Sequence, residues 1–143
     1  MNNHTAMYIN RPARDIFEAF VDPAKIGKFW FSSSSARWEQ GKTVTLRYNE
    51  YDAEGDIRIQ KIEVDRRIEF RWGEGEEDHL VTISLTPSDS GRTLVEVTEE
   101  GFPEEGEDLI PMLVGNKEGW VYMLTCLKGY LEYGADLRAA LAK

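Results

Sequence analysis

The chain has 143 residues, a formal net charge of −9, 41% hydrophobic residues and 30% charged residues. This is the composition of a soluble globular protein, and its acidic balance excludes nucleic-acid and anionic-membrane binders, which need a basic face. The single cysteine, Cys126, rules out an intrachain disulfide and cannot alone build a thiolate metal site, and no apolar run reaches the roughly 18–20 residues of a membrane span.

The length fits one domain, 1–143, with a single core. No basic segment followed by an apolar run opens the chain, so a cytoplasmic location is expected. Met7-Tyr8-Ile9 reads as a short first strand, with His4 in a loose terminus before it. Pro12 sits where a helix can begin, and Ile16, Phe17 and Phe20 follow at helical spacing. Asp22-Pro23 signals a second short helix, with Ile26, Phe29 and Trp30 as its apolar face. Ser32 to Ser35 reads as a polar loop.

Strand patterns then dominate. Val44, Leu46 and Tyr48 alternate, as do Ile57 and Ile59, then Ile62 and Val64, with a phase slip near Gln60-Lys61 that implies a bulge. Ile68, Phe70 and Trp72 alternate, then Val81, Ile83 and Leu85, then Val95 and Val97. Turns are expected at Ala53-Glu54-Gly55, Asp65-Arg66, Gly73 to Glu77 and Pro87 to Gly91. This is an antiparallel meander rather than a series of βαβ units.

A long helix closes the chain. Trp120, Leu124, Leu127 and Leu131 recur at helical spacing, and acidic residues near Asp108 suit its positive end. Pro111 is early enough to be tolerated. Gly115, Gly119 and Gly129 each cost on the order of 1 kcal/mol relative to alanine, and close approach to the sheet is the expected return. The pattern predicts an α+β fold: a curved antiparallel sheet wrapped around a long C-terminal helix, with two short helices after the first strand.

Several stretches together carry a resemblance. They are Ile9-Asn10-Arg11-Pro12 with Ile16 to Phe20, Asp22-Pro23 through Phe29-Trp30, and Gly41 in a turn where two glycines are usual. To these add Arg66-Arg67-Ile68-Glu69-Phe70-Arg71-Trp72, Glu100-Gly101-Phe102, and Gly119-Trp120 with Leu124, Leu127, Tyr130 and Leu131. In order and spacing the chain resembles the activator-of-heat-shock-protein-90-ATPase-like family of the START-like (SRPBCC) superfamily. The resemblance implies the helix-grip fold, with a cavity between sheet and helix. It leaves function open, since members include ligand binders, cyclases and chaperone activators. A histidine often stands in the family where Glu99 stands here.

Sheet phase and helix phase nominate the cavity lining: Tyr48, Trp72, His79, Glu99, Trp120, Met123, Leu124 and Leu127. Each has a plainer reading. Trp72 and Trp120 suit a core, His79 beside an acidic turn suits a partly exposed structural histidine, and Glu99 near a strand end suits solvent. Cys126 reads as a small buried apolar residue, and Tyr122 and Tyr130 as rim residues. No nucleophile elbow or phosphate loop is present, and two distant histidines without spaced ligands make no metal site. No catalytic residue, metal or cofactor is therefore assigned.

Three functions remain. The first is a small hydrophobic or aromatic ligand bound in the cavity. The second is a cyclase- or dehydratase-like enzyme using His79 and Glu99 as an acid–base pair. The third is a cochaperone-like protein acting on a chaperone through its surface. Nucleic acid and membrane are not expected partners, and the chain is expected as a monomer or homodimer.

Overall fold

A computed structural model describes residues 1–142. Seven strands form one antiparallel sheet: β1 (Asn2–Ile9), β2 (Ser33–Ser34), β3 (Thr43–Tyr48), β4 (Ala53–Glu63), β5 (Arg67–Trp72), β6 (His79–Pro87) and β7 (Thr93–Glu100). Their order is β1-β7-β6-β5-β4-β3-β2. Two short helices, α1 (Ala13–Val21) and α2 (Pro23–Ile26), follow β1, and a long helix, α3 (Leu109–Tyr133), ends the regular structure. This is the sheet and long C-terminal helix expected from the residue pattern, and the helix-grip fold that the resemblance implies.

The inward positions of β3 to β7 meet the apolar faces of α1 and α3 in one core, which includes Ile16, Phe17, Phe20, Val81, Ile83, Val97, Leu124 and Leu127. Asp22 caps α2 as its residue type suggests, accepting a hydrogen bond from the Ala24 amide at 2.9 Å. The register shift in the β4–β5 ladder falls between Ile59 and Lys61, where the phase slip placed it. It lets Ile57, Ile59 and Ile62 all face apolar neighbours despite the odd spacing.

Five local expectations change. β1 extends back to Asn2, and His4 lies in it opposite Thr98. Edge pairing with β7 makes this strand, and polar side chains give no alternation to reveal it. Ser33 and Ser34 pair with Arg47 and Leu46 as a short edge strand rather than a loop. α2 ends at Ile26, so Phe29 and Trp30 are buried from the turn after it. A Cβ at Gly27 would lie 2.7 Å from the Ser32 carbonyl oxygen, so only glycine lets the chain fold back there. The β3–β4 connection turns at Asn49–Asp52, one step earlier than Ala53-Glu54-Gly55, because Asp52 takes the left-handed conformation. Val64 lies in the β4–β5 turn and is exposed.

Strand pairing aligns the site. Trp72 lies opposite His79, and Val81 lies opposite Glu99. His79 and Glu99 are therefore diagonal neighbours on one face of adjacent strands, with Trp72 beside them.

Candidate functional site

Glu99 is the hub. Its side chain projects from β7 into the space under α3, and the residue is only 3% exposed. A lone carboxylate buried to this degree would cost several kcal/mol, and three donors and an imidazole nitrogen offset that cost. Asn116 Nδ2 donates to Oε1 at 2.9 Å and Trp120 Nε1 to the same oxygen at 3.0 Å. His79 Nδ1 lies 2.7 Å from Oε2, and Trp72 Nε1 donates to that oxygen at 3.3 Å. Two indoles, an amide and an imidazole thus converge on one carboxylate. The solvated reading of Glu99 is overturned: at a strand end it still lies beneath the helix.

His79 is held from three sides. Its Nδ1 edge meets Glu99, its ring packs against Phe102 with centroids 4.5 Å apart, and its Cδ2 edge meets Gly101. A Cβ at position 101 would sit 2.6 Å from His79 Cδ2, and Gly101 has φ +125°, so glycine alone fits there. The His79 side chain is 13% exposed, a partly exposed histidine as the acidic turn suggested.

Two adjoining cavities flank this cluster. The larger, about 1280 Å³, is lined by Phe31, Leu46, Ile57, Met112, His79 and Glu99, and carries Glu54, Asp56, Glu74, Glu76 and Glu77 towards its mouth. The smaller, about 610 Å³, is lined by Phe29, Trp30, Tyr48, Trp120, Tyr122 and Met123. Trp72 and Asn116 line both. Trp72 and Trp120 stack at 5.5 Å with their planes 24° apart, and Trp30 lies 5.5 Å from Trp120.

A C-terminal strap borders the smaller cavity. Gly134 ends α3 in the left-handed conformation, and residues 135–142 fold back so that Leu141 joins the cavity wall. Tyr122 donates its hydroxyl hydrogen to the Leu137 carbonyl and accepts from the Ala140 amide. Arg138 makes a two-pronged ion pair with Glu50, at 2.6 and 3.1 Å, and donates to the Trp30 carbonyl at 3.0 Å. The Arg138 hydrogen bonds hold the Glu50 carboxyl at about 2, well below its usual 4.5. A depressed folded value means the contact stabilises above the unfolded value and is lost as pH falls through the folded one. Amide exchange of residues 135–142 should therefore speed up as pH drops from about 4.5 towards 2, after correction for the intrinsic pH dependence of exchange. Glu50→Gln should produce the same loosening at neutral pH. Unchanged protection in that variant would mean the pair does not hold the strap.

The glycines of α3 serve other ends than the expected close approach to the sheet. A Cβ at Gly115 or Gly119 would meet nothing within 4 Å, and both residues line the smaller cavity. Gly129 is closely approached, by the Leu137 side chain of the strap, with a hypothetical Cβ 2.7 Å from its Cδ1. Gly119→Ala should accordingly raise stability by up to about 1 kcal/mol, since alanine gains helix propensity and loses no space. A lowered denaturation midpoint would show a contact that the geometry lacks.

The nominated residues divide. Trp72, His79 and Glu99 line the larger cavity, and Tyr48, Trp72, Trp120 and Met123 line the smaller. Leu124 and Leu127 line neither; both are fully buried in the core. They share the helix's apolar stripe with Trp120, but the stripe passes from cavity wall to packed core one turn later. Cys126 is fully buried, and burial pushes its thiol up. Tyr122 is a rim residue, whereas Tyr130 stacks on Phe29. The sequence reading missed Asn116, Phe102 and Gly101. Asn116 lies one turn before Trp120 on the same helix face, a spacing that could have exposed it. Among the described residues no group of three or more His, Cys, Asp or Glu is placed to hold a metal, and no helix is long and apolar enough to cross a membrane.

Comparison with known proteins follows the same lines. A family model described as Activator of Hsp90 ATPase homolog 1-like protein matches residues 10–132. The crystal structure of protein SSP2350 from Staphylococcus saprophyticus is 53% identical, covers 98% of each chain and superposes with a TM-score of 0.87. The Aha1 dimer from Colwellia psychrerythraea, solved in solution, is 18% identical over 94% of this chain and 98% of that one, with a TM-score of 0.81. CalU16 from Micromonospora echinospora is 21% identical over 91% of this chain and 73% of that one, with a TM-score of 0.72. The last two likenesses are of fold alone. No curated protein matches.

Proposed function

Since the chain belongs to the Activator of Hsp90 ATPase homolog 1-like family, whose fold encloses space between sheet and helix, we propose that it binds a flat or elongated apolar small molecule there. The observation that carries this reading is the aromatic wall of the paired cavities, with Trp30, Trp72, Trp120 and Tyr48 around space that their own side chains leave unfilled. Aromatic and methionine side chains suit such a site because they offer large contact area and adapt in shape at modest entropic cost. Gly115 and Gly119 support the reading, because any side chain there would fill the cavity.

The test uses N-phenyl-1-naphthylamine, a neutral dye that brightens in apolar surroundings. The wild type should bind it saturably with a dissociation constant of about 1 μM, about −8 kcal/mol. Gly119→Leu should fold normally and weaken that binding at least about tenfold. Equal binding by both proteins would place the dye elsewhere, and absence of saturable binding by the wild type would reject the cavity as a ligand site.

A second reading, action on a chaperone through the surface, draws support from α3. Ile110 and Val114 are 73% and 60% exposed, and with Val121 they form one apolar stripe on its outer side. Val114→Asp should abolish a chaperone-ATPase effect under this reading and leave dye binding intact.

A further inference from the structure

The aromatic wall explains attraction for an apolar body but not which body. The polar atoms gathered around Glu99 do more, and they are committed to it. The indole N–H groups of Trp72 and Trp120 and one amide hydrogen of Asn116 go to Glu99. Asn116 Oδ1 accepts from Asn3 Nδ2 at 3.0 Å.

Glu99 meets four nitrogens. Three of them, the two indoles and the amide, can only donate, which is the environment of an ionised carboxylate that only accepts. The fourth contact, at 2.7 Å, then requires His79 Nδ1 to carry the proton. With Nδ1 so occupied, the neutral ring keeps its lone pair on Nε2, and it is this neutral form that offers an acceptor. Among the described residues none hydrogen-bonds Nε2. Gly101 and Phe102 cover the Cδ2 edge and one face of the ring. His79 lines the larger cavity, and the edge that remains for it carries Nε2.

We propose, resting on the ligand-binding reading above, that His79 Nε2 is the recognition atom of the larger cavity, and that it selects a flat apolar ligand bearing a neutral hydroxyl donor, a phenol or an enol. A ligand without a donor would strip water from Nε2 and return nothing. A carboxylate fails twice: it is acceptor-only and cannot satisfy Nε2, and the mouth it must pass carries Asp56, Glu74, Glu76 and Glu77, with Glu54 paired to Arg47 at 3.1 Å and Arg58 to Asp78 at 2.5 Å. Glu99 acts at one remove, as a positioning residue that holds the tautomer.

The experiment titrates 2-naphthol, 2-methoxynaphthalene and 2-naphthoate against the wild type and His79→Phe, reading tryptophan fluorescence. The wild type should bind 2-naphthol about 10–100-fold more tightly than the ether, with the carboxylate weakest. His79→Phe keeps an aromatic ring against Phe102, and it should bind naphthol and ether equally, so that the ratio of the two constants falls to about one. Should that variant not fold, nitrogen-15 NMR of the wild type carries the test. The His79 Nε2 resonance should move with 2-naphthol and stay still with the ether, and a His4→Gln background removes the other imidazole. Ether and naphthol binding equally to the wild type would overturn the hydroxyl assignment and leave the cavity standing. Tightest binding of the carboxylate would overturn it by showing Nε2 to be a donor. If no naphthalene binds at all, the cavity reading fails first and this one with it.

Discussion

Glu99→Leu lowers the free energy of unfolding by about 3–5 kcal/mol, the range for removing one member of a buried charged cluster. Leucine matches the volume and apolar surroundings, so packing alone would forgive it. The loss comes from the partners. Two indole N–H groups, the Asn116 amide and His79 Nδ1 all point at the vacated oxygens. Each buried donor left unpaired costs about 1–3 kcal/mol, and partial relaxation keeps the sum below the simple total. Glu99→Gln falls between, because an amide supplies one oxygen and one NH2. Whichever way it turns, its NH2 faces an indole N–H, that of Trp72 or that of Trp120. Urea unfolding at constant slope measures both variants. A loss under about 1 kcal/mol for Glu99→Leu would mean that water replaces the carboxylate, and that the cluster is wetter than its burial indicates.

Trp120→Ala has a comparable expected effect, about 3–5 kcal/mol, the usual cost of deleting a large buried aromatic. Trp120 is nearly fully buried, stacks on Trp72, touches Trp30 and donates to Glu99. Deleting it removes apolar area and leaves Glu99 Oε1 with Asn116 as its remaining donor. Trp120→Phe separates the two contributions, since it keeps most of the ring and loses the N–H. It should cost much less than alanine, with about 1–3 kcal/mol assigned to the hydrogen bond. A larger loss from Trp120→Ala than from any core leucine would also be consistent with its two roles. A loss below about 1 kcal/mol would show that the helix presents another face to the sheet.

The two variants bear on the ligand proposal as well. Trp120→Ala enlarges the smaller cavity and removes part of its wall, so a folded fraction of that variant should bind the neutral dye more weakly. Glu99→Gln frees His79 to accept at Nδ1 and donate from Nε2, and it should lose the preference for naphthol over the ether.

Much of this was legible from residue order. Period-two alternation from Val44 to Val97 and period-3.6 recurrence from Trp120 to Leu131 identify strands and helix because one face of each must be dry. Those same phases put Trp72, His79 and Glu99 on the inner face. They failed where no dry face existed to leave a pattern. The polar residues Asn2 to Thr5 and Ser33-Ser34 become strands through pairing alone. They also failed along α3. Leu124 and Leu127 share a stripe with Trp120 and Met123, but periodicity says only which side is covered, not whether a side chain or a void covers it.

The sequence by itself determined the order of the main elements, the fold and most of the inward side chains, since burying an amphipathic pattern leaves few arrangements. Tertiary structure alone decided the chemistry of the site. The charge state implied for Glu99, the tautomer of His79 and the emptiness beside Gly119 depend on atoms brought within about 3 Å from β5, β6, β7 and α3. Hydrogen bonds fall off over a fraction of an ångström, and no spacing along the chain encodes distances of that size across separate elements.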